Sequence, residues 1–178
     1  KYFFAAKAVA KVMTCSADGV VDVIALKNGD ANYSISNPME VKFDAQGNMF
    51  VLYRKKLVKF NGYTVAKEWT LPEDYTDAFC FTADYSKALV FGYIKVYQID
   101  LNDPAAEVKV IAGGASKHTN ASTYKDGEMG KPLTATFNTC YDAMCLADGT
   151  ILFGDAAAKT MRLMIPDVYG NFENATIK

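Results

Sequence analysis

The sequence predicts an all-β protein made of β-propeller blades of four antiparallel strands, with about four such blades in the chain, a partial propeller. Three observations predict it. One layout of strand, tight turn and second strand recurs along the 178 residues. Apolar residues inside each copy alternate, as one face of a strand requires, and no long stripe of 3.6-residue spacing occurs. Turn-forming residues break the chain into short segments throughout.

The copies begin at Asn37-Pro38, at Thr76-Asp77 and at Cys140-Tyr141. Ala45, Ala83 and Ala147 are equivalent, and Phe43, Phe81 and Cys145 stand two positions before them. Val41, Phe79 and Ala143 stand four before, which is period-two burial on a first strand. Gly47 and Gly149 follow at the turn, where a positive φ costs little only for glycine. The middle copy carries Tyr85-Ser86 there, so its turn is expected to hold one extra residue.

Second strands end at Tyr53, Tyr93 and Asp155. Third strands are expected at 57–60, 94–99 and 161–165, and fourth strands at 65–71, 108–112 and 174–178. Asn61-Gly62, Asn102-Asp103-Pro104 and Pro166-Asp167 with Gly170-Asn171 separate them. Residues 2–5, 8–15 and 20–26 fit the end of an earlier blade. The expected organisation is one propeller domain, with a partial blade at 1–28, blades at 37–72, 76–113 and 133–178, and an inter-blade loop at 114–132. An all-β sandwich also has short strands at such spacing, but repetition in one register favours blades.

Composition bounds the function. Half the residues are apolar and the formal net charge is -1. A near-neutral chain without a basic run is not built for nucleic acid, and no apolar stretch has the length of a membrane span. Cys15, Cys80, Cys140 and Cys145 form no C-x-x-C pair, so buried thiols are expected ahead of a zinc site, with disulfides the alternative. Cys140 and Cys145, placed on one strand, would face opposite ways. No cofactor or metal is expected.

Catalytic motifs are missing. The chain has neither a Gly-x-Ser-x-Gly elbow nor a phosphate-binding loop, and its single histidine, His118, lies in a polar loop. Asp84 and Asp148 sit where aspartate bonds its own turn backbone. Trp69 falls in an outer strand and is expected to pack rather than serve as a sugar platform.

Asn37-Pro38, Asp148-Gly149, Leu152-Phe153-Gly154-Asp155 and Met161-Arg162-Leu163 stand where blades of the NHL-repeat family carry their proline, acidic-glycine turn, closing aspartate and third-strand core. The stretch from Ile111-Ala112-Gly113-Gly114 to Ala135-Thr136-Phe137-Asn138 is similar to that family's inter-blade segment. The chain thus resembles NHL-repeat propellers, and in particular the propeller part of TIG/NHL surface lipoproteins of Gram-negative gut bacteria. The resemblance implies a six-bladed propeller, an extracytoplasmic home at the cell surface, outer membrane or periplasm, and carbohydrate or protein binding. Some NHL-like propellers are metal-dependent lyases with channel-lining histidines, and no predicted strand here carries a histidine.

Strands alternate direction within a blade. Loops joining second to third strands therefore open on the same face as the inter-blade loops, where propeller ligands meet the protein. Tyrosine rings stack on sugars, and arginine or aspartate bonds hydroxyls in pairs. The expected ligand set is Arg54, Tyr75, Asp77, Tyr93, Tyr141 and Asp142. The function expected is a non-enzymatic binding or scaffold propeller for a glycan or protein ligand. The alternatives are a lyase or hydrolase with its catalytic residues in further blades, and a structural spacer in a surface assembly. The chain opens Lys1-Tyr2-Phe3-Phe4 and closes inside an apparent strand. Both ends are expected to interrupt structure, so the remainder of the chain or another subunit is the expected partner that completes the propeller.

Overall fold

A single turn design joins many of the strands. At 16–20, 44–48, 146–150 and 167–171 the first residue's N–H donates to the fifth residue's carbonyl, at 2.9, 3.1, 2.8 and 3.1 Å. The fourth residue is glycine each time, with φ of +84°, +80°, +84° and +81°. A side chain at that position would have to adopt the left-handed region, which L-residues avoid. The corresponding turn at Thr82 runs one residue longer, its N–H reaching the carbonyl of Lys87 at 3.0 Å. Tyr85 supplies the positive φ there, at +57°. The extra residue expected from the sequence is present.

The computed structural model describes residues 1–72, 76–103, 105–114 and 124–178. They form two compact units, Lys1–Thr76 and Asp77–Lys178. Strands lie in four small sheets, and the only helical pieces among the described residues are short 3-10 turns. The all-β expectation holds.

In the first unit, β1 (Tyr2–Ala6), β2 (Lys11–Cys15) and β3 (Val21–Val23) form a three-stranded sheet. The sequence placed residues 8 and 9 in the second of these strands. They instead turn through a 3-10 helix, Lys7–Val9, closed by Ala10 at φ +54°. The expected strand at 20–26 is also shorter, because past Val23 the chain leaves its hairpin partner. The second sheet runs in the order β5-β4-β9-β8-β7-β6. Its strands are β4 (Lys27–Asn28), β5 (Ala31–Asn32), β6 (Pro38–Phe43), β7 (Met49–Tyr53), β8 (Lys56–Asn61) and β9 (Thr64–Thr70). The miniature hairpin β4–β5 was not foreseen, although Asn28-Gly29 is a hairpin signal. It joins the sheet through a parallel bridge from Lys27 to Thr64. Val12, Ile24, Leu26, Met49, Val51 and Phe60 are among the core of this unit. Trp69 packs as expected, its ring stacked 6.4 Å from that of Phe50 with 9° between planes.

The second unit holds two four-stranded sheets. The first is β10 (Thr76–Phe81), β11 (Lys87–Gly92), β12 (Val96–Asp100) and β13 (Lys109–Ala112). The second is β14 (Ala143–Cys145), β15 (Ile151–Asp155), β16 (Thr160–Ile165) and β17 (Thr176–Ile177). Residues 174 and 175, expected in the last strand, sit at the end of the 3-10 turn Phe172–Asn174 and in its cap instead. Leu89, Phe91, Val96, Phe137, Phe153 and Met164 fill the core between these sheets. Each such side chain removed from water contributes roughly 1.5–3 kcal/mol. Cys80 and Cys140 are buried in this core and Cys145 packs against it. Cys140 lies ahead of β14, so it shares no strand with Cys145. Its Sγ donates to the carbonyl of Asp142 at 3.1 Å.

Burial differs between the sheets in a regular way. All five residues of β7 are buried, and all of β11 but Lys87. In β15 the buried positions alternate with half-buried ones, and β2 alternates in the same way. A continuous buried run means that both faces are covered, and alternation means that one is open.

Candidate functional site

The site is built on the second unit, where two strand-connecting loops meet a linking segment. The loop at 93–95 joins β11 to β12, the loop at 156–159 joins β15 to β16, and residues 138–142 lead into β14. Backbone hydrogen bonds fasten the three together. Thr139 N–H donates to the carbonyl of Tyr93 at 2.9 Å, and Ala156 N–H donates to the carbonyl of Thr139 at 2.9 Å. Gly154 N–H donates to the carbonyl of Asp142 at 3.2 Å. Thr139 bends the linking segment with φ +63°.

The base of this layer is an arginine clamp. Arg162 is 1% exposed. Its Nη1 donates to Asp155 Oδ2 at 3.1 Å and to the carbonyl of Thr136 at 2.6 Å. Its Nη2 donates to Asp126 Oδ1 at 3.0 Å and to the carbonyl of Lys125 at 2.8 Å. The guanidinium also lies 5.0 Å from the Phe137 ring centre and 5.2 Å from that of Tyr124. Asp155 in turn accepts from Ala158 N–H at 3.3 Å, so the clamp fixes the 156–159 turn. Paired charges and aromatic faces make a buried arginine tolerable. The sequence marked both Asp155 and Arg162 as motif positions, but not their partners in the preceding linker.

On this layer stands Tyr141, 71% exposed. Beside it is a shallow depression of about 270 Å³ lined by Tyr141, Gly154, Ala156, Lys159, Thr160 and Met161, among others. Asp142 is exposed, and its Oδ1 accepts from Ala143 N–H at 2.8 Å. Tyr93 is half-buried. Asp77 is half-buried at the start of β10. The structure therefore gathers Tyr93, Tyr141 and Asp142 in one loop layer of the second unit. Arg54 belongs to the first unit, exposed in the turn between β7 and β8 at φ +45°. Its carbonyl accepts from the Thr76 hydroxyl at 2.6 Å. Tyr75, and the loop histidine His118, lie outside the described residues.

The first unit has a feature that the sequence reading missed. A cleft of about 430 Å³ has Val12, Ile24, Leu26 and Ile35 among its lining, with Lys11 and Ser34 also on its walls. Tyr33 lines it too. The Tyr33 hydroxyl shares hydrogen bonds with the Tyr53 hydroxyl and Glu68, and Lys56 Nζ donates to Glu68 Oε2 at 2.6 Å. Burial first, then the bond to Glu68, raises the Tyr33 phenol far above its usual range. Burial acts to raise Glu68 as well, but the bonds from Lys56 and Tyr33 outweigh it and hold the carboxyl below its usual value. The signal that could have located this cleft is the Asn28-Gly29 turn.

Among the described residues, no group of three or more His, Cys, Asp or Glu side chains could hold a metal ion. No helix among them is long and apolar enough to cross a membrane.

No protein-family model and no curated protein matches the chain. Solved structures do. Virginiamycin B lyase from Staphylococcus aureus is similar with a TM-score of 0.60 at 11% identity, over 99% of this chain and 50% of that one. A catalytically inactive form of that lyase, solved with quinupristin, gives 0.59 over the same shares. The extracellular domain of a hybrid two-component system from B. thetaiotaomicron gives 0.51 at 12% identity, over 100% of this chain and 23% of that one. These likenesses show the fold, and the four sheets are blades of the β-propeller kind. The chain spans about half the length of the lyase that it matches.

Proposed function

We propose that this chain is part of a non-enzymatic binding propeller that captures a glycan on an extracytoplasmic surface, with the loop layer around Tyr141 as the contact. The observation that carries this reading is an aromatic ring, 71% exposed, on a backbone fastened at both sides. A rigid aromatic face stacks on a sugar ring with little loss of conformational freedom, and water leaves both surfaces. Lys159 and Thr160 border the depression and can bond hydroxyls at the ring edge. Asp142 and Tyr93 extend the same layer. The NHL-repeat resemblance supports the surface location, and one of the similar solved propellers is an extracellular domain.

The test is a glycan array followed by titration calorimetry on any ligand found. Tyr141→Ala is expected to weaken binding by about tenfold or more, the value of one well-packed aromatic contact. Asp142→Asn and Tyr93→Ala should weaken it less. A ligand bound equally well by Tyr141→Ala would move the site elsewhere.

A further inference from the structure

The alternating burial in the last sheet leaves one face bare. Strand register puts Met144, Leu152 and Leu163 side by side, with Met161 across from Gly154. Ile165 continues the row. Met144 is 54% exposed and Met161 61%, and no strand position on this face is charged. The first sheet has a bare face of the same nature. Tyr2, Phe4, Met13, Val21 and Val23 share it, with Lys11 at its end. Tyr2 is 71% exposed and Val23 54%.

We propose that the bare face of the last sheet docks on the bare face of the first sheet of a second copy of this chain. Two observations select this occupant. The contacts already present have one sense along the sequence. The first sheet's covered face meets the sheet that follows it, with Phe3 4.7 Å from Phe43. The last sheet's covered face meets the sheet before it, with Phe91 5.2 Å from Phe153. A following face thus meets a preceding face, and the face left over on the last sheet is a following one. The preceding face that it lacks is the one left over on the first sheet. Length is the second observation. The chain covers 50% of the matched lyase, so two copies carry the length of one. Reciprocal use of both contacts closes the assembly at two copies, whereas a single contact used head to tail would build a filament. The uncharged last-sheet face sets no like charges against each other.

Sedimentation equilibrium of residues 1–178 over a concentration series tests this, with circular dichroism to confirm that each variant keeps its sheets. The wild-type chain is expected at the mass of two copies. Met144→Gln with Leu163→Gln blocks one face, and Phe4→Gln with Val23→Gln blocks the other. Each pair is expected to weaken association by about tenfold or more. Should one pair not fold, Met144→Gln or Val23→Gln alone is read in the same way. A wild-type chain that stays at single mass throughout overturns the proposal. So does a dimer that neither pair disturbs, or one that yields to a single pair only, which would mean a face meeting its own kind. These substitutions avoid Tyr141, so loss of pairing and loss of ligand are separate results.

Discussion

Arg162 and Asp155 face each other across the turn between β15 and β16, 3.1 Å apart, with side chains 1% and 0% exposed. Seven positions separate them in sequence, yet their meeting organises residues far outside that turn. The same guanidinium reaches the linker at Lys125, Asp126 and Thr136. One side chain thus ties the linker to the last sheet and holds the floor under Tyr141.

Arg162→Leu should destabilise the fold by about 3–5 kcal/mol, because it leaves Asp155 charged and unpaired in the core. Arg162→Lys should recover only part of the loss, since an ammonium cannot address two carboxylates and two carbonyls in one plane. Urea unfolding of the three proteins measures this. A loss under 1 kcal/mol, roughly a surface ion pair, would contradict the clamp.

Acid should loosen two turns. The Thr82 hydroxyl, then the Ser86 N–H, lowers Asp84 to about 2. The Asn174 side-chain amide, then the Asn171 N–H, lowers Asp167 to about 2. An unfolded aspartate titrates near ~3.9. A carboxyl depressed on folding stabilises above its unfolded value, and that contribution is lost as pH falls from about 4 through about 2. Melting temperature followed through this window should decline. The decline should flatten in the Asp84→Asn, Asp167→Asn double variant, and an unaltered slope would assign the effect to other groups.

Two glycines should respond unequally to alanine. Gly149, at φ +84°, has open space where a Cβ would stand, so the cost is backbone strain alone, about 1 kcal/mol. At Gly113 a Cβ would lie 2.1 Å from the Ile94 carbonyl oxygen. Gly113→Ala should therefore cost clearly more than Gly149→Ala in the same denaturant series. Equal losses would show that the linker backbone gives way freely.

Trp69 is the chain's single tryptophan and is 6% exposed against Phe50. Native emission should be blue-shifted and resist iodide quenching, and unfolding should reverse both. Emission like that of free indole in the folded protein would place the ring in solvent.

What the sequence revealed follows from how each constraint is written in it. Gly47 and Gly149 disclose their turns because a positive φ selects glycine. Tyr85 adopts the same backbone region at +57° with no such mark, and only register with the other copies disclosed its turn. The strands of β7 and β15 could be read from apolar pattern and spacing. The hairpin β4–β5 could not, since two-residue strands rich in polar side chains have no pattern to show. At the site, Tyr141 and Asp142 were legible from topology, which puts alternate loops on one face. The reach of Arg162 into residues 125–136 was not, because the partners are carbonyls, which every residue possesses. Nor was the cleft by Tyr33, which depends on where the unforeseen hairpin settles.

Nearly all strand neighbours in these sheets are consecutive along the chain, and Lys27 with Thr64 is the exception. Consecutive hairpins close small loops, so each sheet is able to form as soon as its own residues leave the ribosome. The β4–β5 hairpin must instead wait for β9, which is made well after it. During synthesis it is the last piece of its sheet to lock, and with it Tyr33 and the wall of the cleft.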